Sequence, residues 1–324
     1  MSLREKRAIL AVALALCTAL CAALFIAWPG GGASGAAVFS SRIFWQIRVP
    51  EAATAFLVGG VLGLSGLLFQ LVLRNPLADP YVLGVAGGST FGAVAVILLA
   101  GSAAAWIGLP LRGAAAFGVG LATLFFLLRL AGGRAETLLL GGVIVNTAFA
   151  AGARILTVWL SPEQLSYVTA FLIGFIPTPP LWEPLLLLPP CVYVLVRFMA
   201  RGRGLDLLLF SDDEARSLGL DVSSVRREAL FLATLLSAAA VTLAGMIGFV
   251  GLLVPHGARW LAGHRHRALV PLSFLMGAAF LLGAQALAKV MASSFLLPVG
   301  TYTSMVGVPA FLALLIKRAR GRRS

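Results

Sequence analysis

Apolar residues in this chain come in long unbroken runs, without the alternation of a half-buried strand or the stripe of a surface helix. The runs cover residues 8–28, 51–73, 82–107, 114–130, 136–158, 185–200, 228–248, 250–263, 269–290 and 300–317, with short polar, glycine- or proline-containing connections between them. A spanning helix needs about 20 apolar residues, so the pattern predicts an all-α integral membrane protein of about ten transmembrane helices. The first run follows the basic start Arg4-Glu5-Lys6-Arg7. It is longer than the roughly 7–15 apolar residues of a cleaved signal peptide and reads as a span. A glycine-rich loop, Pro29 to Gly35, follows it on the outside. The run 250–263 is short and needs shelter from neighbouring helices. Gln164 to Gly174 fits one short helix, which at about 1.5 Å per residue cannot cross a core of about 30 Å and is expected at the outer surface.

Composition agrees. Of the 324 residues 60% are hydrophobic and 11% charged, with a mean hydropathy of +0.99, against roughly 45–50% and 25% in soluble domains. The solvent of such a chain is lipid, and residues 1–324 read as a single transmembrane domain whose longest polar stretch is about 201–227. The net charge of +13 does not mark a nucleic-acid partner, because the basic residues sit at the ends of apolar runs and not on one water-facing surface. With both termini cytoplasmic, 20 of the 25 Lys and Arg fall inside, leaving Arg42, Arg48, Arg112, Arg154 and Lys289 outside. Cys17, Cys21 and Cys191 lie inside apolar runs with no metal-type spacing.

Glycine pairs Gly59/Gly63, Gly84/Gly88 and Gly88/Gly92 form small-x-x-x-small faces, which let helix backbones approach closely in lipid. In the polar stretch, Ser211 stands three residues before Glu214 and Gly219 follows, the signature of a short helix with a capping box and a glycine stop. Such a helix is either an ordinary solvated loop element or a docking element for a partner. Asn75-Pro76-Leu77-Ala78-Asp79-Pro80 cannot continue a helix and makes a structured turn, with Asn75 and Asp79 as side-chain partners for freed backbone groups. Gly245 to His256, with glycines at intervals of three and then Pro255, predicts a helix broken at membrane depth. There His256 is a structural hydrogen-bonding residue, or else a ligand or proton carrier.

Arg48-Val49-Pro50, Gln70, Arg74 to Pro80, Leu83-Gly84-Val85, Ala215 to Gly219, Gly248 to Arg259 and Leu297-Pro298-Val299-Gly300 together resemble the iron-siderophore, haem and vitamin B12 ABC importer permeases, the FecCD-type transmembrane subunits. The resemblance runs from about residue 42 to the C-terminus. It implies a homodimer of ten-helix permeases in the bacterial cytoplasmic (inner) membrane, two cytosolic ATPase subunits and an extracytoplasmic substrate-binding protein. It implies an ATPase-coupling segment at Ser211, Glu214, Ala215, Arg216, Ser217, Leu218, Gly219 and Leu220. Cytoplasmic gate positions are implied at Asn75, Leu77, Ala135 and Glu136, with Glu136 in place of a small hydroxyl residue. Binding-protein docking is implied at Arg48, Glu51 and Lys289. Permeases of this family commonly carry Arg-x-Pro-Arg where this chain reads Arg48-Val49-Pro50-Glu51, so one docking charge is reversed.

No Gly-Lys dipeptide occurs in the chain, so it holds no GxxxxGK[ST] phosphate loop. The chain is expected to be no enzyme and to bind no cofactor or metal, with ATP and Mg on the partner subunit. An ion-coupled secondary transporter would place acidic residues near the midplane, and none falls in the middle of a run. An intramembrane enzyme would need a nucleophile–base pair or a metal cluster, and only His256, His264 and His266 are present. Small and apolar side chains along the pathway suit a bulky chelate carried whole: a ferric siderophore first, then cobalamin or haem.

Overall fold

The computed structural model describes residues 42–100, 108–132, 135–291 and 297–321. The expected first span at 8–28, with Cys17 and Cys21, lies outside these residues, as does the 29–35 loop.

Within the described residues the regular structure is helical. A π-turn, Phe44–Arg48, runs straight into α1, Val49–Val72, whose second residue is Pro50. Then come α2, Val85–Ala100; α3, Gly108–Ala131; α4, Ala135–Leu156; and the short α5, Pro162–Ile173. After these come α6, Trp182–Leu185; α7, Leu188–Ala200; and two short helices, α8, Gly202–Leu207, and α9, Asp212–Ser217. Four more close the chain: α10, Val222–Ala244; α11, Val250–Ala262; α12, His266–Met291; and α13, Val299–Gly321. Six helical stretches are long and apolar enough to cross a membrane, and α2 and α13 add shorter apolar ones. Each apolar run after residue 50 holds a helix of its own.

The centre of the bundle is α1. In its apolar window 94% of residues are buried, against 22% in that of α4. It packs on α12 most extensively, then on α10 and α11, and glycine makes this possible. A Cβ on Gly59 would overlap the carbonyl of Gly277 on α12, one on Gly63 would overlap the carbonyl of Ser273, and one on Gly66 would overlap the backbone of Gly251 on α11. The second glycine face works the same way. Gly84 faces the carbonyl of Gly142 on α4, Gly88 the Thr123 hydroxyl and Gly92 the carbonyl of Ala115 on α3. Where the hydrophobic effect does not drive helices together, such close packing holds the bundle.

Two helices start inside the bundle. At about 1.5 Å per residue, the 13-residue α11 reaches only about two-thirds of the way across a hydrocarbon core. It begins where α10 ends at Gly245, φ +67, and Phe249 turns the chain, φ +69. The α5 C-terminus and the α13 N-terminus close on this break. Met246 N donates to Phe171 O (3.1 Å), Phe175 N to Ala244 O (3.0 Å) and Gly300 N to Gly174 O (2.9 Å). Gly174, Gly245 and Gly300 leave no room for a Cβ at these crossings. The peptide groups freed by the break are thus paired within protein, as a water-free interior demands. Val168 and Phe171 of α5 are buried, and its C-terminal end meets the helix breaks.

Gly59→Leu should force α1 and α12 apart and cost about 3 kcal/mol. The outcome expected is a lower thermal midpoint in detergent and a diminished monodisperse peak. A variant as stable as the parent would show that the crossing is not close-packed.

Candidate coupling and gate site

The polar stretch after α7 forms the capped helix that its sequence predicts. Ser211 is extended (φ −61°, ψ 158°), and its hydroxyl accepts from Glu214 N (3.3 Å). The Glu214 carboxylate accepts from Ser211 N (2.9 Å) and from the Ser211 hydroxyl (2.8 Å). Gly219 (φ +85) ends the helix, and Leu220 N returns to Ala215 O (3.0 Å). Open space surrounds the Gly219 Cα, so glycine is needed there for its left-handed conformation alone. Ala215 is buried and Leu220 half-buried, whereas Ser211, Glu214, Arg216, Ser217, Leu218 and Gly219 are exposed. Leu218, 61% exposed, stands out as an apolar side chain on a polar helix.

This helix is tied to the turn after α1. Arg74 ends α1 in a left-handed conformation, φ +48, donates Nε–H to Leu208 O (2.9 Å) and pairs with Asp212 at 2.6 Å. Arg226, from the first turns of α10, donates to both Asp212 oxygens at 3.0 and 3.1 Å. Hydrogen bonding from Arg226, then the Arg74 charge, holds the Asp212 carboxyl below the usual carboxylate range. One carboxylate thus joins α1, α9 and α10. Asp213 beside it points away, its side chain 98% exposed.

Beyond Arg74, Asn75 Oδ1 accepts from Leu77 N (2.9 Å) and Asp79 Oδ1 from Tyr81 N (2.9 Å). These are the side-chain partners the two prolines require. The chain climbs back into the bundle, so that Asp79, 2% exposed, reaches the start of α11 at Gly251. There Pro255 has no N–H to return to Gly251 O. Gln70 replaces it: Nε2 donates to Gly251 O (3.1 Å) and Leu252 O (3.2 Å), and Oε1 accepts from Arg259 (2.6 Å). His256 Nδ1 lies 2.8 Å from Leu252 O, the contact of a structural hydrogen-bonding histidine. A cavity of about 570 Å³ opens beside this group, among Gln70, Arg74, Leu77, His256 and Arg259. Of the expected gate positions, Asn75 and Leu77 are at this cavity or next to it. For Ala135 and Glu136 only the helical backbone at the start of α4 is described, and their side chains lie outside the described set.

At the opposite end of α1, Glu51 does not present a reversed charge to the surface. It is 6% exposed, accepts from Gln285 Nε2 (2.8 Å) and is paired with Lys289. Two expected docking residues thus engage each other, with Arg48 half-buried in the π-turn before them.

Asp212 and Gln70 were not among the site residues expected from sequence. Nothing local marks Asp212, whose partners lie 138 and 14 residues away. Gln70 did leave a signal, since Pro255 inside a helix leaves the carbonyl four residues earlier without a donor.

A polytopic helical bundle with a capped, outward-facing helix tied to the turn beside a cavity has the make-up of a transport permease driven by a partner. The chain belongs to the FecCD transport family, which matches residues 9–317, and is a multi-pass permease subunit of an ABC importer, a system in which ATP hydrolysis falls to a separate subunit. It is 34% identical to the hemin transport system permease of Yersinia pestis over 87% of this chain and 85% of that protein. It is 36% identical to the cobalamin import system permease of Halobacterium salinarum, over 91% of this chain and 79% of that one. Among solved structures it superposes on a chain of an ABC transporter assigned to the metal-chelate type, in an inward-facing conformation. The TM-score is 0.82 and the identity 28%, over 98% of this chain and 100% of that one.

The charge state of the capped helix can be read in solution. Hydrogen bonds from Ser211 hold the Glu214 carboxyl below its usual range, and Ser223 and the Ser224 amide do the same for Asp221. With Asp212, these are folded-state values below the unfolded ones, so their stabilisation is complete above the ordinary carboxylate range and is lost as pH falls through the lowered values. Amide protection across residues 211–225 should stay level from neutral pH to about 5 and fall below about 4. Hydrogen exchange read by mass spectrometry checks it, and loss between pH 7 and 5 would contradict the assignment.

Proposed function

We propose that this chain, as a homodimer with two cytosolic ATPase subunits and an extracytoplasmic binding protein, imports a metal chelate, with a ferric siderophore the first choice of cargo. The observation that carries the mechanism is the Arg74–Asp212–Arg226 cluster, which joins α9 to the turn at 74–80. In this reading the α9 end of the bundle is cytoplasmic, and residues 211–220 sit in a groove of the ATPase with Leu218 as the apolar contact. Closure of the ATPases on ATP moves α9, and Asp212 passes that movement to Arg74. The turn carrying Asn75 and Leu77, together with Ala135 and Glu136 at the start of α4, then opens or closes the exit. The metal-chelate transporter to which the chain is structurally similar supports a chelate as cargo. Haem and cobalamin are the alternatives, favoured by the relatives named for them.

Asp212→Ala and Asp213→Ala change net charge equally, yet only the first removes the link to α1. In the transporter reconstituted with its ATPase and binding protein, Asp212→Ala should lower cargo transported per ATP about tenfold, the effect of about 1.4 kcal/mol. Asp213→Ala should leave that ratio unchanged. Equal effects from the two would sink the coupling route.

At the other end Arg48 carries the docking charge, while Glu51 holds Lys289 in place. Charge pairing across such a surface acts mainly on partner choice and association rate. Arg48→Glu should therefore slow association of the binding protein about tenfold at low salt, with less effect at high salt. Unchanged kinetics in a surface-binding measurement would remove Arg48 from the docking face.

A further inference from the structure

The cavity at the α9 end has an unbalanced charge. Of its two arginines, Arg74 is answered by Asp212 at 2.6 Å. Arg259 is half-buried and donates to a neutral acceptor, Gln70 Oε1, at 2.6 Å, and no carboxylate of the described residues pairs with it. Asp206 is taken by His266, accepting from its N–H at 2.9 Å and facing its Nδ1 at 2.8 Å. His264 adds a titratable ring at the exposed α11–α12 connection. A guanidinium has five donors in a rigid fork, and one is directed at Gln70. A cation withdrawn from water without a counter-charge is unfavourable. The remaining fork faces about 570 Å³ of space whose other wall, Leu77, Phe311 and Leu314 on two elements, is apolar.

We propose that this cavity binds a phosphate-bearing anion, its phosphate oxygens held by the Arg259 fork and its apolar portion lying against Phe311 and Leu314. A guanidinium pairs bidentately with phosphate, and basic pockets between membrane helices accept anionic head groups. A phospholipid of the adjoining leaflet and free phosphate share this chemistry. The proposal goes beyond the transport reading and stands or falls independently of it, since its test measures no transport.

The test uses the intact transporter with its ATPase subunits, delipidated in detergent. It is offered phosphatidylglycerol or phosphatidylcholine with or without inorganic phosphate, and retained lipid is read by native mass spectrometry. Preferential retention of phosphatidylglycerol, lowered about tenfold or more by Arg259→Gln, is the expected result. Displacement by millimolar inorganic phosphate would identify the free anion as sufficient, and resistance to it would identify the lipid. Should Arg259→Gln fail to fold, Leu209→Glu places a carboxylate on the exposed rim of the same cavity and should give a similar loss. Retention equal for both lipids, or unchanged in a folded variant, would overturn the proposal.

Discussion

Pro255 leaves the carbonyl of the buried Gly251 without its helical donor, and a buried carbonyl left unpaired is costly. Gln70 supplies the missing donor from α1, and Arg259 fixes the amide from the far side. This bridge lets α11 begin inside the bundle. The glycine contact between Gly66 and Gly251 brings the two helices close enough for the Gln70 side chain to reach. The second break, between α10 and α11, is repaired by the same rule with backbone instead of side chain. The peptide groups of Phe171, Gly174 and Ala244 pair with Met246, Gly300 and Phe175. These backbone pairs fix the geometry of the break where α5, α10 and α13 meet.

Charge is handled differently at the two ends. At the α9 end, Asp212 gathers two arginines from separate helices, and Glu228 is shared by Arg197 and Arg201. These pairs are partly solvated, and individually each adds about 1 kcal/mol or less. The value of the Asp212 pairs lies in geometry, since they hold α9 against both the end of α1 and α10. At the other end Glu51 is buried, and removing Lys289 would strand a carboxylate in an apolar setting, a far costlier change. The first arrangement suits an element that must respond to a partner. The second suits a fixed corner between α1 and α12.

Much of the fold was legible in the chain. Apolar runs gave the places of the helices, because a segment in lipid must satisfy its own backbone and so declares itself by length and composition. Gly59/Gly63 and Gly88/Gly92 were readable as close-packing faces, and Ser211, Glu214 and Gly219 as the two ends of a short helix, because capping is local chemistry. Asn75 and Asp79 were readable as turn residues for the same reason.

What lay outside the reach of sequence was pairing between distant residues. Glu51 reads as a reversed surface charge until α12 sets Lys289 and Gln285 beside it. Asp212 reads as one of three acids in a row until α1 and α10 bring Arg74 and Arg226 to it and leave Asp213 in solvent. By itself the sequence determined which segments are helical, where they stop and that lipid surrounds them, since those depend on neighbours within a few residues and on the cost of an unpaired peptide. Only the tertiary structure decided which charges are buried, which carboxylate joins the helices and which carbonyl Gln70 serves. Those depend on distances between residues as many as 238 positions apart, which no local pattern encodes.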